Sequence, residues 1–144
     1  MNELDVIPVI LKKRLERRIL SYPLISPEEA LNEIRAIDNI GDPNEFFQKE
    51  KNKNRLLVFN LANDGYLLLP KFQFHSNSHG VLPIIPQLCT ALCGLNDLSV
   101  YFWLTSYDDD LKGAPADYLK DTNSHDFILD LAYLLRNTLT FRHL

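Results

Sequence analysis

Residues 103–119 constrain the fold more than any other stretch, because they combine a helix end, a tight reversal and a helix start. The apolar run at 101–104 is typical of the end of a buried helix, and the polar turn that follows closes at Gly113. Glycine permits a sharp reversal, and Pro115 is tolerated in a first helical turn, where its missing N–H has no partner. We therefore predict a corner made of a helix, a turn and a second helix.

Apolar side chains on both sides of this turn are placed to fold back on the tryptophan as one cluster. Burying each of them would stabilise the fold by roughly 1.5 to 3 kcal/mol before conformational entropy is counted. The cluster comprises Trp103, Leu104, Leu111, Tyr118 and Leu119. Taken residue by residue, this pattern predicts a well-packed corner.

The whole pattern carries more information than its parts. The order Trp-Leu, an acidic turn, Leu-Lys-Gly-Ala-Pro and a hydrophobic pair resembles the toxin-binding domain of Xre/MbcA/ParS-type antitoxins. That family often has a Pro-x-Phe-Gln-Phe segment upstream, then a polar loop and a proline; here these are residues 70–74, residues 75–80 and Pro83. The resemblance covers residues 56–137. This sequence departs from the family pattern in two places. The family usually has Pro-Asn in the turn, and it usually has a glycine where this chain has residues 137–141.

The resemblance implies a binding protein that neutralises a cognate toxin by occluding its active site. The toxin would be a RES-domain enzyme that consumes NAD+, and the C-terminal domain with its tail would cover the active-site entrance. The residues implied at this interface are Tyr107, Lys112, Arg136, Phe141, Arg142 and Leu144. The residues implied to hold the corner together are Phe72, Phe74, Trp103, Leu104, Leu111, Gly113 and Pro115.

Composition indicates a soluble globular chain, since 46 % of its 144 residues are hydrophobic and 24 % are charged. Charge interrupts every apolar run before the roughly 18 residues that a membrane span needs. The N-terminus begins acidic, and its first basic cluster follows the apolar run at 6–11, so we expect no secretory signal. We expect a cytoplasmic protein with no membrane partner, in which Cys89 and Cys93 are buried free thiols.

The net charge of −4 conceals an uneven distribution. Residues 1–71 hold eleven basic and eleven acidic side chains, whereas residues 72–144 hold four basic and eight acidic ones. An acidic chain is a poor general binder of nucleic acid, so any DNA contact would have to be local. The candidate DNA-binding residues are Lys49, Lys51, Lys53 and Arg55.

Three helices are predicted in the N-terminal part. The first, at 5–20, has an apolar stripe and a basic cluster at 12–18, which is either a solvated face or a contact to DNA or to the toxin. The second starts at Ser26 with a capping-box sequence and ends near 38–41. The third starts at 42–43. Together with the hairpin described next, the second and third resemble a winged helix-turn-helix.

Two short apolar runs, 55–59 and 66–69, flank an Asn-Asp-Gly turn and predict a β-hairpin. Their nearly continuous apolar character predicts burial on both faces. Further helices are predicted within 81–94, over 96–103 with an Asn cap, and from a cap within 121–124, which is either the Asp-Thr or the Asn-Ser pair. A basic, partly apolar tail follows this last helix.

No catalytic motif is visible. The chain lacks Gly-x-Ser-x-Gly, a phosphate-binding glycine loop and His-Glu-x-x-His, and it holds only five glycines. Two histidines in the loop at 75–79, together with the two cysteines, form a weak candidate for a zinc site. We predict that the protein is not an enzyme and holds neither a metal nor another cofactor.

These features predict an α+β fold that is predominantly α. Residues 1–55 would form a helical region resembling a degenerate winged helix-turn-helix, and residues 56–144 a short β-hairpin plus a helical toxin-binding-like domain. The favoured function is toxin neutralisation. The alternative is a DNA-binding transcriptional regulator that acts through the N-terminal half and controls its own operon. The expected partners are the toxin, operator DNA, and a second copy in a homodimer or a larger hetero-oligomer with the toxin.

Overall fold

The computed structural model describes residues 8–34, 40–62 and 64–142, without the side chains of 139–142. Within these residues the chain is mostly helical and carries one small antiparallel sheet, as predicted. The elements are α1 (Val9–Ser21), β1 (Leu24–Ile25), α2 (Pro27–Glu33), α3 (Pro43–Asn52), β2 (Leu69–Pro70), α4 (Ile85–Ala91), α5 (Asp97–Leu104) and α6 (His125–Arg142). Short 3-10 turns lie at Lys71–Gln73, Pro115–Tyr118 and Thr122–Ser124.

Two of the predicted helix starts, those of α2 and α5, are formed by the predicted caps. The Ser26 hydroxyl accepts the Glu29 amide and the Glu29 carboxylate accepts the Ser26 amide, each at 3.2 Å, which completes the capping box of α2. The Asn96 side chain accepts two amides in the first turn of α5 at 3.0 and 3.2 Å. Before α6, Asp121 caps the 3-10 turn. These three caps satisfy amides that a helix start leaves without partners.

Two helix boundaries differ from expectation. α2 ends at Glu33, before the predicted end near 38–41; residues 35–39 lie outside the described residues. The segment after Ala114 was expected to be a helix, but it is a single 3-10 turn. That segment is short because the Asp121 amide already bonds to the Tyr118 carbonyl at 3.0 Å, and the Asp121 carboxylate caps the next turn. The start predicted for α1 at residues 5–7 lies outside the described residues.

The predicted β-hairpin is formed only in part. Its two arms meet only at one bridge, in which Phe59 and Leu68 exchange backbone hydrogen bonds of 2.8 and 2.9 Å. The sheet instead joins β2 to β1, which comes from the N-terminal half, with Ile25 opposite Leu69. The outer arm therefore pairs with the other arm at Leu68 and with a distant segment at Leu69. The predicted burial of both arms holds for residues 56–59, all of which are buried.

Residues 56–59 separate two apolar clusters. Leu57 and Phe59 belong to a larger cluster built with α1, α4, α5 and α6. Leu56 and Val58 belong to a smaller one built with α2, α3 and β2. Alternate side chains of an extended segment point to opposite sides, so this four-residue stretch contributes to both clusters at once.

A buried glutamine replaces the missing strand partner of this segment. The Gln73 side chain is 0 % exposed; its carbonyl oxygen accepts the Leu57 amide at 2.8 Å, and its NH2 group donates to the Leu57 carbonyl at 2.8 Å. A primary amide carries one acceptor and two donors, so it reproduces the pair of bonds that a neighbouring strand would supply. The Pro-x-Phe-Gln-Phe segment thus holds the stretch at 56–59 in place.

Candidate functional site

The turn at the predicted corner is closed by its own backbone and by one aspartate. The Asp108 amide donates to the Gly113 carbonyl at 2.9 Å, and the Lys112 amide donates to the Asp108 carbonyl at 2.8 Å. The Asp108 carboxylate accepts the amides of Asp110 and Leu111 at 2.9 and 3.1 Å. Lys112 has a φ of +60°, a conformation that costs a non-glycine residue free energy. These bonds hold the turn in one defined conformation.

Glycine is favoured at 113 because of the residue that packs on it. A Cβ atom at this position would lie 2.7 Å from Cε2 of the Tyr118 ring, closer than any ordinary contact. The Tyr118 hydroxyl reaches the Lys112 carbonyl at 3.4 Å from the same side. The aromatic ring therefore lies against bare backbone at the base of the corner.

The residues of the predicted corner cluster lie in or against the larger apolar cluster. Leu104 and Leu119 are buried in the larger apolar cluster, and the partly buried Trp103, Leu111 and Tyr118 pack against it. Pro115 is buried at the start of the 3-10 turn.

The Pro-x-Phe-Gln-Phe segment packs on the same core as the corner. Phe72 packs against the larger cluster and meets the ring of Tyr22 edge-on, with 6.1 Å between the ring centroids. Phe74 is buried in the smaller cluster. Gln73 is hydrogen-bonded to Leu57, which belongs to the stretch 56–59 between the two clusters. The three residues of this segment therefore contact both clusters and the stretch that separates them. The two sequence motifs on which the resemblance depends are therefore parts of one structural unit.

A cleft of about 570 Å³ lies between this segment and the corner. Phe72, Phe74 and Ser76 line one wall, and Ala116 and Asp117 line the other. No local sequence signal predicts this cleft, because its walls come from residues far apart in the chain.

One end of the cleft is set by a hydroxyl and a carboxylate. The Tyr22 hydroxyl donates to the two oxygens of the Asp117 carboxylate, which lie 2.9 and 3.0 Å away. Burial, with the hydrogen bond and the negative charge of Asp117 adding to it, raises the pKa of Tyr22. The ammonium group of Lys120 donates to the Ser76 hydroxyl at 2.9 Å and so links the corner to the loop after the Phe-Gln-Phe segment. The exposed Lys71 also lines the cleft.

An arginine of α1 attaches that helix to the start of the corner. Nη1 of Arg18 donates to the hydroxyls of Thr105 and Ser106 at 2.8 and 3.0 Å and to the Phe102 carbonyl at 3.4 Å. A cation at these sites is favourable because the C-terminus of α5 leaves carbonyls unpaired and carries partial negative charge. The guanidinium groups of Arg14 and Arg18 both lie over the Phe102 ring, 5.2 and 5.4 Å from its centroid.

This arrangement corrects one interpretation of the basic cluster at 12–18. Arg18 is half-buried and hydrogen-bonded within the fold, so it is not part of a solvated face, whereas Arg14 is exposed and also lies over the Phe102 ring. Their i, i+4 spacing places them on one side of α1, which is the only hint that the sequence offers.

The predicted toxin-binding residues fall in two places. Tyr107, with 67 % of its surface exposed, and the exposed Lys112 both lie in the turn of the corner. Arg136 lies on α6, and its Nη1 donates to the Thr90 carbonyl of α4 at 3.3 Å. α6 continues as a helix to residue 142, beyond the predicted start of the tail. The side chains of Phe141 and Arg142, and the whole of Leu144, lie outside the described residues.

The predicted DNA-binding residues do not form a uniform basic surface. Nζ of Lys51 lies 2.5 Å from an Asp97 oxygen that also accepts the Asn60 amide at 2.7 Å. Nζ of Lys49 lies 3.9 Å from Oε1 of Glu45, and Nη1 of Arg55 lies 3.7 Å from Oε1 of Glu50. Lys53 is exposed and has no ion-pair partner among the described residues. Acidic neighbours of this kind lower the positive potential that a phosphate would meet.

The histidines and cysteines are not brought together. Over residues 8–34, 40–62 and 64–142, no three His, Cys, Asp or Glu side chains are grouped so that they could hold a metal ion. Nδ1 of His79 lies 3.0 Å from the Asn32 carbonyl. Cys89 is buried, as predicted, and burial raises the pKa of its thiol to about 12. The predicted burial of Cys93 is wrong, because this residue is exposed. In the same part of the chain, no helix combines the length and the apolar character needed to cross a bilayer.

Comparison of this chain with models of protein families, with curated proteins and with solved structures gives no match.

Proposed function

We propose that this protein is an antitoxin-like binding protein that neutralises a toxin by covering the entrance to the toxin's active site. One observation carries the proposal: Phe72 of the Phe-Gln-Phe segment and the tryptophan-led corner, which belong to the two motifs that resemble the antitoxin family, pack on the same apolar cluster. The resemblance further suggests a RES-type, NAD+-consuming toxin as the partner, which would be met in the cytoplasm.

The turn of the corner suits a binding surface because it is ordered before a partner arrives. Asp108 fixes the turn with hydrogen bonds to Asp110 and Leu111, and Tyr107 stands beside it with most of its surface exposed. Tyrosine is enriched among residues that contribute most to protein interfaces, and a preordered loop loses little entropy on binding. Lys112 adds a positive charge at the other end of the same turn.

The test is a binding measurement with a neighbouring RES-type gene product as the probe. Tyr107→Ala should weaken the complex by about 30-fold, the effect of losing one major interface residue. Tyr66→Ala is the matched control, because Tyr66 is 66 % exposed and lies outside the corner. It should change the affinity by less than about threefold. Toxin that is neutralised equally by both variants, or that forms no complex with the unaltered chain, would refute the proposal.

A second variant tests the C-terminal contribution separately. Removing residues 138–144 deletes the last turn of α6 and the three predicted contacts Phe141, Arg142 and Leu144. We expect weaker binding and recovery of NAD+ consumption by the toxin, measured in the same mixture. Unchanged inhibition would exclude a role for this end of the chain while leaving the Tyr107 test intact.

A DNA-binding regulator remains the second candidate, and the packing of α2 against α3 favours it. Two packed short helices are compatible with the winged helix-turn-helix that the sequence resembles. Its test is a salt series on promoter DNA. Changing Lys49, Lys51, Lys53 and Arg55 to Ala should flatten the decline of affinity with salt, because each phosphate contact adds to that slope. Absence of binding at low salt would eliminate this function.

A further inference from the structure

One side of α6 presents aromatic, aliphatic and acidic side chains to solvent. Asp126, Phe127, Asp130, Tyr133 and Leu134 are all exposed, and their spacing places them on one face of the helix. On the opposite face, Ile128 and Ala132 are fully buried in the larger cluster. The exposed face therefore combines apolar area with two negative charges.

A face of α1 has the complementary character. Ile10, Lys13, Arg17 and Leu20 are exposed, and successive separations of three, four and three residues align them in one stripe. Leu15, on the buried side, is 0 % exposed. The stripe has two positive charges in its middle and an aliphatic side chain at each end.

The two faces match in spacing as well as in charge. Lys13 and Arg17 are four residues apart, and so are Asp126 and Asp130, so both ion pairs form in one alignment of the two helices. When the helices are antiparallel, this alignment also places Ile10 opposite Tyr133. A parallel alignment pairs the charges equally well, but it leaves the two helix dipoles side by side in the same direction. Antiparallel neighbours have opposed dipoles, which is the more favourable arrangement.

These faces do not cover each other within one chain. Leu20 is 84 % exposed and Leu134 is 62 % exposed, so the apolar ends of both faces remain in solvent. We propose that they bind a second copy of this chain, with α1 of one copy antiparallel to α6 of the other and the contact made twice in a closed dimer.

Area supports the doubled contact. α1 has 13 residues, and at about 1.5 Å per residue it is roughly 20 Å long. A stable interface buries roughly 1,200 Å² of total surface or more, and two symmetric contacts bury twice the area of one, which favours the closed dimer over a single contact. The proposal concerns the chain alone, so it stands or falls independently of toxin binding.

Light scattering coupled to gel filtration on the full chain tests the dimer. We expect the mass of two chains, and a dissociation constant raised at least about 30-fold in Lys13→Glu/Arg17→Glu and in Asp126→Lys/Asp130→Lys, because like charges then face each other. The four changes combined in one chain restore opposite charges and should restore the dimer. Lys49→Glu/Lys53→Glu, an equal change of charge on and beside α3, is the control and should leave the mass unchanged.

Each other outcome overturns the proposal. A monomer at all concentrations up to about 200 µM, far above the dissociation constant expected of a standard interface, excludes the dimer. A dimer that survives both charge reversals, or that the fourfold variant fails to restore while circular dichroism shows it to be folded, uses a different surface. All four positions are exposed, so the variants should fold.

Discussion

Replacing Gln73 by leucine should lower the free energy of unfolding markedly, although the two side chains are similar in size. Leucine has a similar volume, so the main loss is that of two hydrogen bonds of 2.8 Å to the Leu57 backbone. Leu57 is only 4 % exposed, so its amide and carbonyl would be left without partners and without water. Each orphaned group costs about 1 to 3 kcal/mol, which gives about 2 to 6 kcal/mol in total.

Urea unfolding measures this loss directly. A small domain has a free energy of unfolding of about 5 to 15 kcal/mol, so the variant should be folded but clearly weakened. With an m-value of about 2 kcal/mol/M, the midpoint should fall by at least about 1 M at unchanged m. Gln87→Leu is the matched control, because Gln87 is exposed on α4 and should change the free energy of unfolding by less than about 0.5 kcal/mol.

A glutamate at the same position separates hydrogen bonding from packing. Its carboxylate accepts the Leu57 amide but donates nothing to the carbonyl, whereas its protonated form does both. The folded state therefore binds the proton more tightly than the unfolded chain, and the stability of Gln73→Glu should rise relative to Gln73→Leu as the pH falls from about 7 to about 4.5. Equal loss in Gln73→Leu and Gln87→Leu, or no such pH dependence, would refute the role assigned to the amide.

Three further changes have defined outcomes. Gly113→Ala should lower the free energy of unfolding by about 1 to 3 kcal/mol, and Tyr118→Leu in the same chain should recover part of it; additive losses in thermal unfolding would contradict the 2.7 Å contact. Asn96→Ala removes the cap of α5 and should cost about 1 kcal/mol in urea, and no shift of the midpoint would show that the cap is dispensable. At neutral pH a thiol reagent should modify Cys93 quickly and Cys89 only on unfolding. The pKa of Cys89 is raised to about 12, so the neutral thiol contributes its full stabilisation below the ordinary pKa of 9.0, and this stabilisation is lost as the pH rises toward about 12. The variant Cys89→Ala should therefore lose less of its free energy of unfolding at alkaline pH.

Local signals in the sequence were sufficient to place the starts of α2 and α5. Ser26 with Glu29, and Asn96, act within three residues of themselves, so their spacing alone predicted the caps, whereas the sequence left the cap near α6 open between the Asp121 and Asn123 pairs. The corner cluster was also predictable, since Trp103 and the residues that join it are close in the chain.

Features that depend on distant partners were not predictable. The outer arm of the expected hairpin pairs with β1, a strand of only two residues that carries no recognisable strand signal. In the sequence Gln73 is one polar residue of a loop, and only its contact with Leu57, 16 residues away, shows what it does. Arg18 reaches Thr105 across 87 residues, and the Tyr22–Asp117 pair at the cleft spans 95. A single sequence offers no means of pairing such positions.

The four residues 56–59, which separate the two clusters, also limit where residues could be inserted into this chain or deleted from it. A single residue inserted or deleted just before Leu56 would reverse which cluster each residue of 56–59 faces. The side chains that fit one cluster would then enter the other. In this region, a library of insertion variants should therefore yield folded proteins with insertions only from Asn60 onward, after this stretch ends. It should yield none with insertions between Leu56 and Phe59.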